Sequence, residues 1–412
     1  MRGPVLLGLV CLLTALAVLA GHPGLALASA PDRSNNGFKM GMARLHPSLV
    51  LSASYDSYAA QLTADEKAGD LILTVIPGAE LELNAARVDF NLYGKASYSR
   101  YLGVVSSAST DASFVGVDAG LGLKLKVTET FSVSIDDSLK RSDQSQAPTL
   151  QVGVLSLYND ASLRLNWRPW HGNLSIEPSY HLATEIFSKR SSFDNLTCDD
   201  GFGCSGWDVS ESNYLDHKAA LGVRWGFLPK SALMLDVGFR ARHYLGDNGT
   251  DSNSLQASVG IQSVFLPRLT GAASFGWIHE FKKIYSSPVA RASLSYALTT
   301  QSKLTLGYER MLSPTPSTKW TAYSSDRVHL DANFLFAGRF ALDASVSARF
   351  LKYLADDDST KDWELGASLA GTYAVLSWLD VKLSYRLAYA DHVAGINDFL
   401  RHVVTLAVEI RY

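Results

Sequence analysis

From about residue 42 onward the chain alternates apolar and polar residues over long stretches. Val115, Val117, Ala119, Leu121, Leu123 and Leu125 are interleaved with Gly116, Asp118, Gly120, Gly122 and Lys124. Leu233, Leu235, Val237, Phe239 and Ala241 are interleaved with Met234, Asp236, Gly238 and Arg240. Phe340, Leu342, Ala344, Val346, Ala348 and Phe350 alternate in the same way with Asp343, Ser345, Ser347 and Arg349. Successive side chains of a strand point to opposite faces, so each segment has one apolar and one polar face. No segment carries a competing helical period. Strands of soluble sheets run about five or six residues. Here the alternation persists for roughly nine to fifteen, the length of a tilted strand crossing an outer membrane. A sheet in hydrocarbon has to close, because an open edge leaves unpaired backbone groups without water. The expected fold is all-β: a single transmembrane antiparallel up-and-down β-barrel, apolar face to lipid and polar face to a lumen.

The connections come in two lengths that alternate along the chain. Short turns are expected at 84–86, 128–130, 169–172, 228–230, 266–268, 299–301, 337–338 and 377–378. Longer polar loops are expected near 56–69, 101–111, 142–153, 188–212, 245–253, 283–288, 312–320, 354–362 and 391–398. Together these connections join about eighteen strands, within the even numbers that bacterial barrels use. Short turns face the periplasm and long loops the exterior, which puts both termini on the periplasmic side. Aromatic residues gather at the turns (Phe131, Trp167, Trp225, Phe265, Phe336, Phe340, Trp378) and at the loop ends (Tyr55, Tyr98, Phe187, Tyr244, Tyr308, Tyr353, Trp363, Tyr389). They are the expected interfacial girdles.

The first residues read as an export signal. Arg2 precedes an apolar run from Val5 to Ala20, Gly21 to Gly24 break it, and Ala26-Leu27-Ala28 fits the small-x-small cleavage rule. Ala28-Ser29-Ala30 also fits, but Pro31 would then obstruct the peptidase, so cleavage is expected after Ala28. The division is therefore a cleaved signal peptide over 1–28, a short periplasmic segment over 29–41, and a barrel over 42–412. At the other end Val404, Leu406, Val408, Ile410 and Tyr412 alternate, and a last amphipathic strand ending in an aromatic resembles the signal read by the barrel assembly machinery. Val408, Ile410 and Tyr412 carry that signal.

With 37 Lys+Arg against 40 Asp+Glu, the formal net charge of −3 excludes a strongly basic nucleic-acid-binding chain. By the alternation many ionisable residues face the lumen, among them Lys95, Arg164, Glu177, Arg224, Arg240, Arg242, Arg349 and Arg386. Most are expected to form paired ladders. Arg224, Arg240 and Arg242 are the best candidates for a basic stripe, although both signs are interspersed. Tyr93 and Tyr158 are the aromatics expected on the polar face, too few for a sugar slide. Cys198 and Cys204 share the longest loop, and in an oxidising periplasm a disulfide between them is expected. This leaves open a plain loop staple or a compact tip, with Trp207, that folds inward as a lid. No His lies near the pair, so no metal site is expected, and no cofactor motif or G-x-S-x-G occurs. An enzyme is therefore not expected. The segment before the barrel is too short for a plug domain, and an unplugged barrel of this size holds a channel.

Ile76-Pro77-Gly78-Ala79 with Arg87-Val88-Asp89-Phe90-Asn91-Leu92-Tyr93, and Phe227-Leu228-Pro229-Lys230-Ser231-Ala232-Leu233, resemble a group of outer-membrane β-barrel porins often found with exopolysaccharide synthesis systems. The Arg168-Pro169-Trp170 turn and Tyr308-Glu309-Arg310 have the same character. In myxobacterial-type polysaccharide secretion, similar barrels work with a periplasmic polysaccharide-export protein that lacks its own outer-membrane span. The resemblance implies an outer-membrane conduit, embedded in the lipid bilayer, that moves a secreted polysaccharide to the surface with such a partner. The alternative is a general diffusion porin for small hydrophilic solutes.

Overall fold

A computed structural model describes residues 37–61, 67–103, 113–142, 154–169, 172–189, 212–246, 251–282, 285–314, 322–336, 338–354, 361–392 and 399–412. The expected signal peptide, Cys198, Cys204 and Trp207 lie outside these residues. The described chain is almost entirely strand. A short β1 (Phe38–Met40) is followed by β2 (Ala43–Gln61), β3 (Lys67–Asn84), β4 (Val88–Tyr101), β5 (Phe114–Lys126) and β6 (Phe131–Ser142). Next come β7 (Val154–Trp167), β8 (Leu174–Lys189), β9 (Tyr214–Leu228), β10 (Ser231–Tyr244), β11 (Ser252–Leu266) and β12 (Leu269–Glu280). The last are β13 (Tyr285–Ala297), β14 (Lys303–Pro314), β15 (Ala322–Phe336), β16 (Phe340–Leu354), β17 (Lys361–Leu376), β18 (Leu379–His392) and β19 (Phe399–Arg411).

From β2 to β19 each strand pairs antiparallel with the next, and β19 pairs back onto β2 from Val403↔Asp56 to Arg411↔Ser48. The result is a closed barrel of 18 strands with no free edge in its wall. Each expected turn or loop lies at a boundary between consecutive strands, in order. Several strands run further outward than the sequence suggests: β2 reaches Gln61, β13 begins at Tyr285 and β14 reaches Pro314. Strand pairing does not stop where the hydrocarbon does, so polar residues expected in loops continue the ladder. The Phe336–Phe340 turn uses Gly338 at φ 68, a left-handed conformation that costs glycine nothing.

β1 turns at Gly41 and pairs with the start of β2, as Phe38↔Leu45 and Met40↔Ala43. It occupies the ladder position just beyond the end of β19. The Tyr412 amide donates to the Pro47 carbonyl at 3.1 Å, and the Phe38 ring lies 4.9 Å from that of Tyr412. The segment before the barrel thus lies against the C-terminal aromatic, and both rings stay exposed.

The outer face is apolar. Leu51, Leu73, Leu92, Val115, Leu235, Val259, Phe275, Leu306, Leu383 and Leu406 are all exposed on it. Trp167, Trp225, Phe265, Phe340 and Trp378 are exposed near the short turns, and Tyr55, Tyr98 and Trp363 near the loops. Polar residues interrupt the outer face in places, and Asp137 sits there beside Asn159, whose Nδ2 donates to it at 2.8 Å.

Phe187, Tyr244 and Tyr353 correct the expected outer girdle. They are 3%, 8% and 3% exposed and share the inner face with Glu185, Arg242 and Leu351. Each stands at an outer strand end, where either face can carry an aromatic, and alternation counted from mid-strand assigns them inward.

Candidate functional site

The inner face of the barrel carries the polar members of each alternation. Lys95 lies opposite Gly78 and Asp118, Arg164 opposite Ser134 and Ser179, and Arg386 opposite Ser368 and Val403. Glu177 accepts from Asn166 Nδ2 at 2.6 Å and from Ser175 Oγ at 2.9 Å. Arg349 Nη1 reaches Glu364 at 3.2 Å. These residues ring the lumen and do not converge on one point.

Arg240 and Arg242 do converge. Both guanidinium groups grip Asp216: Arg240 Nε donates to its two carboxylate oxygens at 2.9 and 2.8 Å, and Arg242 Nη2 at 2.7 Å. Arg242 also stacks its guanidinium 3.9 Å from the centre of the Tyr214 ring, a cation–π contact. Arg224 is not part of this group. It faces Met234, further along β10 toward the short turn. Its place beside Arg240 is taken by Lys218, directly opposite in register. The expected basic stripe is thus a clamp of two arginines on one carboxylate, with Lys218 next to it.

The inner outer-end collar was not expected from the sequence. Asp56, Asp70, Glu185, Asp216 and Glu280 are buried there. Glu185 accepts from Ser156 Oγ at 2.6 Å and Tyr214 Oη at 2.7 Å. Glu280 accepts from Ser252 Oγ at 2.5 Å and the Asn253 amide at 2.7 Å. Asp70 accepts from the amides of Leu71 at 2.8 Å and Gly103 at 3.0 Å. A buried carboxylate is tolerated when hydrogen bonds replace its water, and these bonds tie neighbouring strand ends together. Tyr101, Phe187, Tyr214, Tyr244 and Tyr353 fill the space between them. So the inner face holds more aromatics than Tyr93 and Tyr158. The period-two signal in β9, with Tyr214, Asp216 and Lys218 alternating, could have revealed the collar.

Outside the strands, Asp251 accepts from Lys282 Nζ at 2.9 Å, the Tyr244 amide at 3.0 Å and His243 Nδ1 at 3.3 Å. The Lys282 ammonium holds its carboxyl below the usual carboxylate range, although partial burial pulls the other way.

Toward the middle of the wall the inner face is hydroxylated. Ser54 pairs with Thr405 at 2.9 Å, Thr74 with Ser99 at 3.0 Å and Ser295 with Thr305 at 3.1 Å. Such cross-strand pairs satisfy one another and still present lone pairs to the lumen. No grouping of His, Cys, Asp and Glu able to hold a metal ion occurs among the described residues.

The mouth is narrowed by the wall itself. The ladder between β13 and β14 runs from Ala297↔Lys303 to Ala290↔Arg310 and stops there. Beyond it β14 stays paired with β15 up to Pro314↔Ala322, and β15 with β16 up to Ala322↔Leu354. Leu312 and Ala322, on the outward side by alternation, pack against Ile278 and Val289 of the inner faces of β12 and β13. A cavity shared by Pro314 and Ala322 with Arg240, Ser252 and Ser254 shows how far across the mouth these strand ends reach.

No curated protein matches the sequence. Among solved structures the chain is similar to OccK9 (OpdG) of Pseudomonas aeruginosa, with a TM-score of 0.51 at 14% identity over 92% of this chain and 100% of that one. It is also similar to the outer membrane protein opdK of Pseudomonas aeruginosa, with a TM-score of 0.48 at 13% identity over 89% and 99%. The siderophore receptor PirA of Pseudomonas aeruginosa gives 0.46 at 10% identity over 94% and 86%. At such identities the likeness is one of fold. Residues 31–412 match the sequence family described as Putative beta-barrel porin 2. That match spans the whole barrel, and the chain therefore belongs to this family of outer-membrane β-barrels.

Proposed function

We propose that the barrel is a conduit carrying a secreted polysaccharide across the outer membrane. The supporting observation is the character of the inner wall. Several of its hydroxyls and charges are paired with one another across strands. A wall of that kind offers a sugar polymer many weak hydrogen bonds and few strong ones. Transport needs binding firm enough for entry and weak enough for release. On this reading a periplasmic polysaccharide-export protein delivers the polymer to the short-turn side, and the barrel supplies the membrane span. Residues 1–28 direct export, Val408, Ile410 and Tyr412 are read by the barrel assembly machinery, and Cys198 and Cys204 form a loop disulfide. The protein catalyses no reaction and needs no cofactor. Deleting the gene should abolish surface polysaccharide while cytoplasmic synthesis continues; unchanged surface polysaccharide would overturn the reading.

A diffusion porin for small hydrophilic solutes is the second reading, supported by the shared fold with OccK9. Planar-bilayer recordings separate the two. A large steady current from the barrel alone supports the porin, and a current that needs the periplasmic partner supports the conduit.

A further inference from the structure

We infer that the outer ends of β14, β15 and β16 form a flap that gates the lumen. The inference follows from a conflict inside the wall. Outward residues of other strands meet the exterior or pack against outward neighbours, as Ala332, Phe334 and Ala344 do, yet here Leu312 and Ala322 turn that face onto the inner faces of the neighbouring strands. Leu312 is 7% exposed, Ala322 5%, Ile278 8% and Val289 6%, so the seat is well packed, with Tyr285 and Leu354 around it. Reaching this position costs β14 its ladder with β13 past Arg310.

Two arrangements of the same strands therefore compete. Tucked in, the flap gains an apolar seat. Swung out, β14 can continue its hydrogen bonds along β13 toward Val289 and Ser287, and the outward face of Leu312 meets the exterior like that of its neighbours. Pro288 sits on this stretch and has no N–H to give, which weakens the swung ladder and keeps the two states close in free energy. The flap moves as one body. Arg310 Nη1 is 3.5 Å from Asp326, Tyr308 Oη donates to Asp326 at 2.7 Å, and the Tyr323 and Tyr353 rings lie 6.0 Å apart. These contacts bind β14 to β15 and β15 to β16, so the seam at β13 is where the wall can part. A small seat of this kind opens without unfolding the barrel, as local openings do in other proteins. A packed contact with two discrete arrangements is the usual element of a switch.

The inference rests on the lumen conducting, not on the identity of its cargo. The test is a cysteine lock, Val289→Cys with Leu312→Cys, in a chain also carrying Cys198→Ser and Cys204→Ser. Mass spectrometry reports the bond and planar-bilayer recording reports the current. Oxidation should form the disulfide and hold the current low, and reductant should raise it severalfold. Equal currents in the two states, or no disulfide under oxidation, would overturn the gate. Leu312→Ser provides a second reading without a lock: it should raise the fraction of time spent open, and an unchanged fraction counts against the flap. If the gate fails while the deletion strain still lacks surface polysaccharide, the cargo reading survives. If the gate holds while surface polysaccharide is normal, only the cargo reading falls.

Discussion

Arg401 on the last strand grips Asp56 on β2 across the seam that closes the barrel, its Nε 3.0 Å from both carboxylate oxygens. Asp56 is 2% exposed while the Arg401 side chain still touches water, so the pair joins the two ends of the chain through a buried carboxylate held by a partly exposed guanidinium. Arg401→Ala should destabilise the barrel by about 1–3 kcal/mol, because the buried carboxylate loses its charged hydrogen bonds. The unfolding midpoint in urea, read from heat-modifiable migration in gels, should fall. An unchanged midpoint would mean that the seam is held by the backbone ladder alone.

Asp216 should set the local charge of the lumen. It balances Arg240 and Arg242 together, with Lys218 alongside. Asp216→Asn should free the two guanidinium groups and shift the reversal potential in a salt gradient toward anion preference. The same change at Asp137, on the outer face, should leave the reversal potential where it is.

The Asp251 triad should respond to acid with a defined sign. Its carboxyl titrates below the ordinary value because Lys282 favours the charged form. The stabilisation is therefore complete above the unfolded value of about 4 and is lost as pH falls through the lower folded value. Comparing wild type with Asp251→Asn by thermal unfolding, the difference should be present at neutral pH and disappear in strong acid. A difference that grows on acidification would contradict the assignment.

Gly276 should tolerate no side chain. A Cβ there would lie 2.1 Å from the Ala257 carbonyl oxygen and 2.5 Å from the Ser258 Cβ, both fixed by the β11 ladder. Gly276→Ala should cost about 1–3 kcal/mol of overpacking. Gly94, whose Cβ would meet nothing within 4 Å, is the control: Gly94→Ala should assemble normally.

The barrel was legible because closure in lipid makes the alternation obligatory from strand to strand. Even the order of short turns and long loops could be read from Pro229, Pro267 and Gly338. The site was less legible for a physical reason. Alternation assigns a face and says nothing of register, so Arg224 and Arg240 could not be separated until β9 and β10 were aligned. Alternation assigns Lys218 to the lumen, but its alignment with Arg240 was hidden for the same reason. The carboxylate collar escaped because Asp56 and Asp70 fall in a polar stretch that looks like a loop, while in the structure they face each other across a ladder. The flap could not be read at all. Leu312 opens the loop expected near 312–320, and only the structure puts it in β14 and shows, by its contacts with Ile278 and Val289, which side of the wall it occupies.

The most direct test of the conduit is to catch the polymer inside the barrel. Met234 lies on the inner face opposite Arg224, and Leu235, next in sequence, lies on the outer face and is 48% exposed. A photo-crosslinking amino acid placed at position 234 in cells that are exporting polysaccharide should yield a barrel–polysaccharide adduct. The same amino acid at position 235 should yield adducts with lipid only. Polysaccharide captured at neither position while export proceeds, or captured equally at both, would contradict passage through the lumen.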